Sequence, residues 1–74
     1  MILPTKHVST QRSLIGVGAT LLANLEQPRT VSRLWEQVRE HPSVRTFERF
    51  VFALDLLYLL GAVEFVRGHL KRVS

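Results

Sequence analysis

The chain has no cysteine. Disulfides and thiolate metal sites are therefore excluded as staples, and a chain of 74 residues must be held by packing or by a partner. Catalytic and metal-binding constellations are missing as well. His7, His41 and His69 are far apart, and neither HxxxH nor HExxH occurs. The four glycines, Gly16, Gly18, Gly61 and Gly68, build no phosphate-cradling loop; Gly16-Val17-Gly18 lies inside a helical pattern without dinucleotide spacing. No apolar run reaches the roughly 20 residues that span a bilayer. The opening MILPTKHVST has no long apolar core or small-residue cleavage site. These absences point away from an enzyme, a cofactor, a bound metal and a membrane, and toward a cytoplasmic protein.

Hydrophobic residues make up 46% of the chain, which is globular rather than disordered. Only about 60% of the unfolded surface is buried in a domain this small, so its stability is marginal and oligomerisation or a partner is the usual supplement. Net charge is +4, from 10 Lys and Arg against 6 Asp and Glu. From Arg67 to the end stand Arg67, Lys71 and Arg72 with no acid among them. That run is either a solvated tail or a basic patch suited to phosphates or an acidic protein.

Residues 1–74 read as a single domain, mainly α with a C-terminal β-hairpin. Residues 1–8 form an extended lead-in, since Pro4 forbids helix there. Ser9 or Thr10 can cap a first helix over 9–25, with Leu14, Val17, Leu21, Leu22 and Leu25 at helical spacing. Thr30 can cap a second helix over 30–40, in which Val31, Leu34, Trp35 and Val38 make an amphipathic stripe that Pro42 stops. Thr46 can cap a third over 46–60, ended by a left-handed Gly61. Residues 63–73 pattern as a hairpin turning at Arg67-Gly68, which sets Phe65 opposite Leu70 and Glu64 opposite Lys71. Three helices and a wing, with a short turn between the second and third, is the winged helix-turn-helix order.

The third helix is the anomaly. Between Phe50 and Val63, Asp55 is the one charged side chain. At about 100° per residue, Phe47, Phe50, Val51, Leu54, Leu57 and Tyr58 share a face expected to pack on the other helices. Phe52, Leu56 and Leu59 lie opposite, continuing to Val63. That second stripe is covered either by the hairpin and N-terminal segment or by another subunit, and contiguous exposed apolar surface favours the subunit. Asp55 flanks the stripe with no cation at i±3 or i±4, so a buried Asp55 needs an arginine from another element or chain. On the first helix, Gly16, Ala19 and Ala23 would let another helix come close. The partner interface is therefore expected at Phe52, Asp55, Leu56, Leu59, Gly16, Ala19 and Ala23. A homodimer through this face is one occupant, and a different protein the other.

The same element order also suits a small winged-helix DNA-binding transcriptional regulator. A base-reading helix should present Arg, Asn, Gln or Ser outward. Here Arg45, Glu48 and Arg49 mark only the entry, and Phe52 and Leu56 follow. Sequence-specific reading is disfavoured. Contact with phosphates through Arg67, Lys71 and Arg72 stays open.

Three stretches, LPTKH (3–7), TVSRLW (30–35) and FALDLLYLLGAVE (52–64), resemble the small middle component, sixth class, of bacterial three-component ABC-ATPase conflict systems. The resemblance runs along nearly the whole chain and is most specific in ALDLLY followed by Leu-Gly-Ala. It implies a non-catalytic adaptor between an ABC ATPase, related to chromosome-maintenance and DNA-repair ATPases, and an effector, in defence against phages or plasmids. It marks Thr30 to Trp35 and Ala53 to Tyr58 as family-typical positions and assigns them no chemistry.

Overall fold

A computed structural model describes residues 14–73. The lead-in over residues 1–8, the Ser9 or Thr10 cap and the expected first turn of the first helix lie outside the described residues. Within them, α1 is described over residues 14–23. The Leu25 N–H then donates to the Leu22 carbonyl, and the Asn24 amide donates to the Thr20 carbonyl at 2.9 Å. This tightened last turn ends the helix two residues before the expected Leu25. The Arg29 side chain adds a hydrogen bond to the Asn24 carbonyl at 2.8 Å, fixing the exit loop.

Helix α2 runs Val31–Val38, with the Thr30 hydroxyl accepting from the Arg33 N–H. It stops two residues short of the expected Glu40, because Pro42 disfavours a helical conformation at His41. Helix α3 runs Phe47–Leu59, capped by the Thr46 hydroxyl at the Arg49 N–H. Its end is a Schellman motif. The Ala62 N–H reaches the Leu57 carbonyl at 2.8 Å, the Gly61 N–H reaches that of Tyr58 at 3.0 Å, and Gly61 has φ +75°.

Strands β1 (Val63–Val66) and β2 (His69–Arg72) pair antiparallel, with Phe65 opposite Leu70 and Glu64 opposite Lys71, the register expected from the sequence. Both turn residues have positive φ, 54° at Arg67 and 81° at Gly68, the signature of a type I′ turn. One pairing was not legible in the sequence. Arg29 bridges Leu70, its N–H donating to the Leu70 carbonyl at 3.0 Å and its carbonyl accepting at 2.6 Å. A single residue between α1 and α2 thus ties the outer edge of β2 to the helices, and the wing is held from both sides.

The core takes Val17, Leu21 and Leu25 from α1 and its exit, Leu34 and Val38 from α2, Phe50, Ala53 and Leu57 from α3, and Val63 and Leu70 from the hairpin. Val44 joins it from the α2–α3 turn, fully buried. Two expectations for α3 are corrected. Its buried face is Phe50, Ala53 and Leu57, while Phe47, Val51 and Tyr58 are exposed. Val63 is 2% exposed and belongs to the core, not to an outer stripe. Ala53 is fully buried on that face. Gly18 of α1 sits there against Leu57, and a Cβ on it would lie 3.5 Å from the leucine Cδ2.

The α2–α3 turn is tightly held. The Arg49 guanidinium folds back to donate to the Val44 carbonyl at 3.0 Å and the Ser43 carbonyl at 2.8 Å. A hydrogen-bonded chain runs from His41 Nδ1 through the Ser43 hydroxyl to the Thr20 hydroxyl and the Gly16 carbonyl, joining the turn to α1. Trp35 of α2 packs edge-on to Phe47, 5.0 Å between ring centroids, and 5.2 Å from Phe50. The Arg39 guanidinium lies over the same indole at 5.8 Å.

Phe50→Ala is expected to cost about 3–5 kcal/mol of stability, enough to leave much of so small a domain unfolded. Phe52→Ala, at a position 57% exposed, should stay within about 0.5 kcal/mol; urea melts followed by circular dichroism separate the two. Arg49→Ala should cost about 1–3 kcal/mol, because buried carbonyls lose charge-assisted donors. Arg49→Lys should restore little, since an ammonium lacks the fork that reaches two carbonyls. Equal stability of the Arg49 variants and wild type would remove Arg49 from the turn's support.

Candidate partner-binding surface

Helix α3 is apolar on more sides than its neighbours cover. Beyond the core face it leaves Phe52, Leu59 and Leu60 exposed, with Leu59 at 81% and Leu60 at 71%. Along this outer surface Asp55 and Glu48 are the only acids, and the helix has no base after Arg49. Two hollows flank the ridge that Phe52, Asp55 and Leu59 form.

The first lies between α1 and α3. Ile15, Gly18, Ala19 and Leu22 form one wall and Leu56 and Leu60 the other, around about 240 Å³, with no charged residue in the lining. The second lies between α3 and the hairpin, lined by Leu54, Asp55, Tyr58, Phe65 and Leu70 around about 340 Å³. The hairpin therefore covers part of α3, but not the Phe52 and Leu59 side.

Of the residues singled out in the sequence, Leu56 and Ala19 share the first hollow. Phe52 and Leu59 stand on the ridge beside it, and Asp55 lines the second hollow. Asp55 is exposed, so it needs no buried arginine partner within the fold. Among the described residues a Cβ on Gly16 would meet nothing within 4 Å, so the space beside it is open. Ala19 and Ala23 are exposed and Gly16 is half-buried, while Gly18 is buried against Leu57 of α3. Ile15 and Leu60 were missed as lining residues. Their signal was their apolar character at positions outside the main helical stripes.

The basic run of the wing changes character in space. Arg67 is at the apex of the turn, but Lys71 faces Glu64 across the strands, and Lys71 and Arg72 share a hollow with Glu26. Arg72 also donates from Nη1 to the Leu22 carbonyl at 3.2 Å, bracing the hairpin against α1. A sequence interval free of acids is thus not an acid-free surface. On the other side of the Pro28 loop, Arg29, Arg33 and His69 line a shallow hollow, with Arg33 4.0 Å from Glu36.

Among the described residues no three His, Cys, Asp or Glu come together as metal ligands, and no helix is long and apolar enough to cross a membrane. This surface offers apolar side chains at its centre and charge at its edges.

Neither the curated proteins nor the solved structures give a match to the chain. Residues 3–73 match the family described as ABC-three component (ABC-3C) system Middle Component 6, the family that the sequence resembles. The chain belongs to that family and is one component of a three-component system, in partnership with its other components.

Proposed function

We propose that this protein is a small, non-catalytic, cytoplasmic adaptor that bridges the ABC ATPase and the effector of its system, in defence against phages or plasmids. The observation that carries the reading is the outer surface of α3. Phe52, Leu56, Leu59 and Leu60 stay accessible in the folded chain, although each is a side chain whose full burial stabilises by about 1.5–3 kcal/mol. A chain with one core and apolar surface left over on α3 is suited to bind another protein. Family membership names where that protein is to be found.

The turn between α2 and α3 fits the same reading. In a DNA-reading helix-turn-helix the first turn of α3 points its polar side chains outward. Here Arg49 is committed to the Ser43 and Val44 carbonyls, and the following outward positions are Phe52, Leu56 and Leu59. These favour a protein surface over base edges, and disfavour a transcriptional regulator. One observation keeps a weaker DNA role in view. Arg67, exposed at the wing apex with φ 54°, holds a backbone conformation that costs a non-glycine residue energy. Within the assembled complex that position suits a phosphate contact without base preference.

The test is co-expression with the other components and purification through a tag on one of them. Phe52→Ser with Leu59→Ser should lower recovery of this chain at least tenfold while the melting temperature of the isolated chain hardly changes. Recovery equal to wild type would sink the α3 reading. For the wing, Arg67→Ala with Lys71→Ala in the assembled complex should flatten the dependence of DNA affinity on salt by up to about 0.9 in slope per lost contact. Arg72 is left in place because it braces α1. An unchanged slope assigns the wing no role at DNA.

A further inference from the structure

The two hollows beside α3 differ in chemistry, and the one against the hairpin is the more specific. Leu54 and Leu70 supply an apolar floor, and Tyr58 and Phe65 supply two aromatic rings, 6.4 Å between centroids and inclined by 55°. Both residues are more than half exposed and line the hollow, so a ligand there can reach them. The lining holds a single charge, Asp55. Its neighbours along the helix, Val51, Phe52, Tyr58 and Leu59, offer no cation, and among the described residues it has no hydrogen bond or ion pair.

We propose that this hollow seats a basic side chain, arginine above all, presented by another component of the system; the source of that arginine rests on the adaptor reading above. The methylene stem would lie on Leu54 and Leu70, as long basic side chains do on apolar surface. The guanidinium would meet the ring faces of Tyr58 and Phe65, whose quadrupoles attract a cation. Its N–H groups would then donate to the Asp55 carboxylate in a charge-assisted pair. Each wall matches one part of the same side chain. A purely apolar occupant would strip water from Asp55 without replacing it, and burial of an unpaired carboxylate is costly. A negatively charged occupant would be repelled. Arginine is favoured over lysine because its planar, weakly hydrated head stacks on rings and engages a carboxylate with two parallel hydrogen bonds. Anchors of this type commonly carry a large part of the affinity of an interface.

The full chain, isotope-labelled, is titrated with N-acetyl-arginine amide and, in parallel, with N-acetyl-lysine amide and N-acetyl-norleucine amide. Arginine amide should give saturable shifts at the Tyr58 and Phe65 rings and at the Asp55 amide, with lysine amide weaker and norleucine amide without effect. Asp55→Asn should weaken the arginine probe at least tenfold without lowering the melting temperature, since the carboxylate supports nothing in the fold. Absence of saturable shifts, or equal response to norleucine amide, would overturn the pocket. In the co-expressed assembly, Asp55→Lys should cut recovery tenfold or more. If Asp55→Lys assembles like wild type, the arginine seat is wrong and the adaptor reading stands. Should wild type fail to co-purify, the adaptor reading fails, and the small-probe titration still decides the chemistry of the hollow. Concentration-dependent self-association that Asp55→Lys abolishes would make the occupant a second copy and overturn the assignment to another component.

Discussion

Burial of one face of α3 is the interaction on which the rest of the structure depends. Phe50, Ala53 and Leu57 take the centre of the core, and α1, α2, the α2–α3 turn and the hairpin each supply residues to meet them. Among the described residues no further element closes the other side. The burial that a small domain can achieve is limited by its surface-to-volume ratio. A helix that is apolar nearly all round therefore remains partly wet unless another molecule covers it. The exposed Leu59 and Leu60 follow from that arithmetic rather than from any local defect, because the caps and backbone hydrogen bonds of α3 are in order.

The hairpin shows how a small domain economises. Its register comes from a type I′ turn, its base is closed by the Val73 N–H on the Ala62 carbonyl, and its free edge is met by Arg29. Each restraint joins it to a different neighbour: α3 through the Schellman turn, the α1–α2 loop through Arg29, and α1 through Arg72. The wing is thereby placed beside α3 as a wall, and the hollow containing Asp55 exists because of that placement. Arg49, Arg72 and Arg29 serve as internal braces, each donating to backbone carbonyls. Three of the ten basic residues therefore act in the fold before they can act on a partner.

The sequence by itself determined the elements. Threonine caps at 30 and 46, Pro42, Gly61 and the Arg67-Gly68 turn are local signals, and each stands where the structure ends or starts an element. It determined the strand register too, because alternating side chains and a two-residue loop leave little freedom. It also determined that α3 would have more apolar surface than one face can bury. What only the tertiary structure decided was which face that is. Apolar residues occur at nearly every position of α3, so periodicity does not select a side; in the fold Phe50, Ala53 and Leu57 turn inward, with Gly18 of α1 against Leu57. The tertiary structure likewise decided that Glu26 stands beside Lys71 and Arg72, that Arg49 turns inward, and that Arg29 joins β2. The pairs made by Glu26 and Arg29 are distant along the chain. Local propensity has no access to them, since their energies arise only when the folded backbone brings the partners within reach.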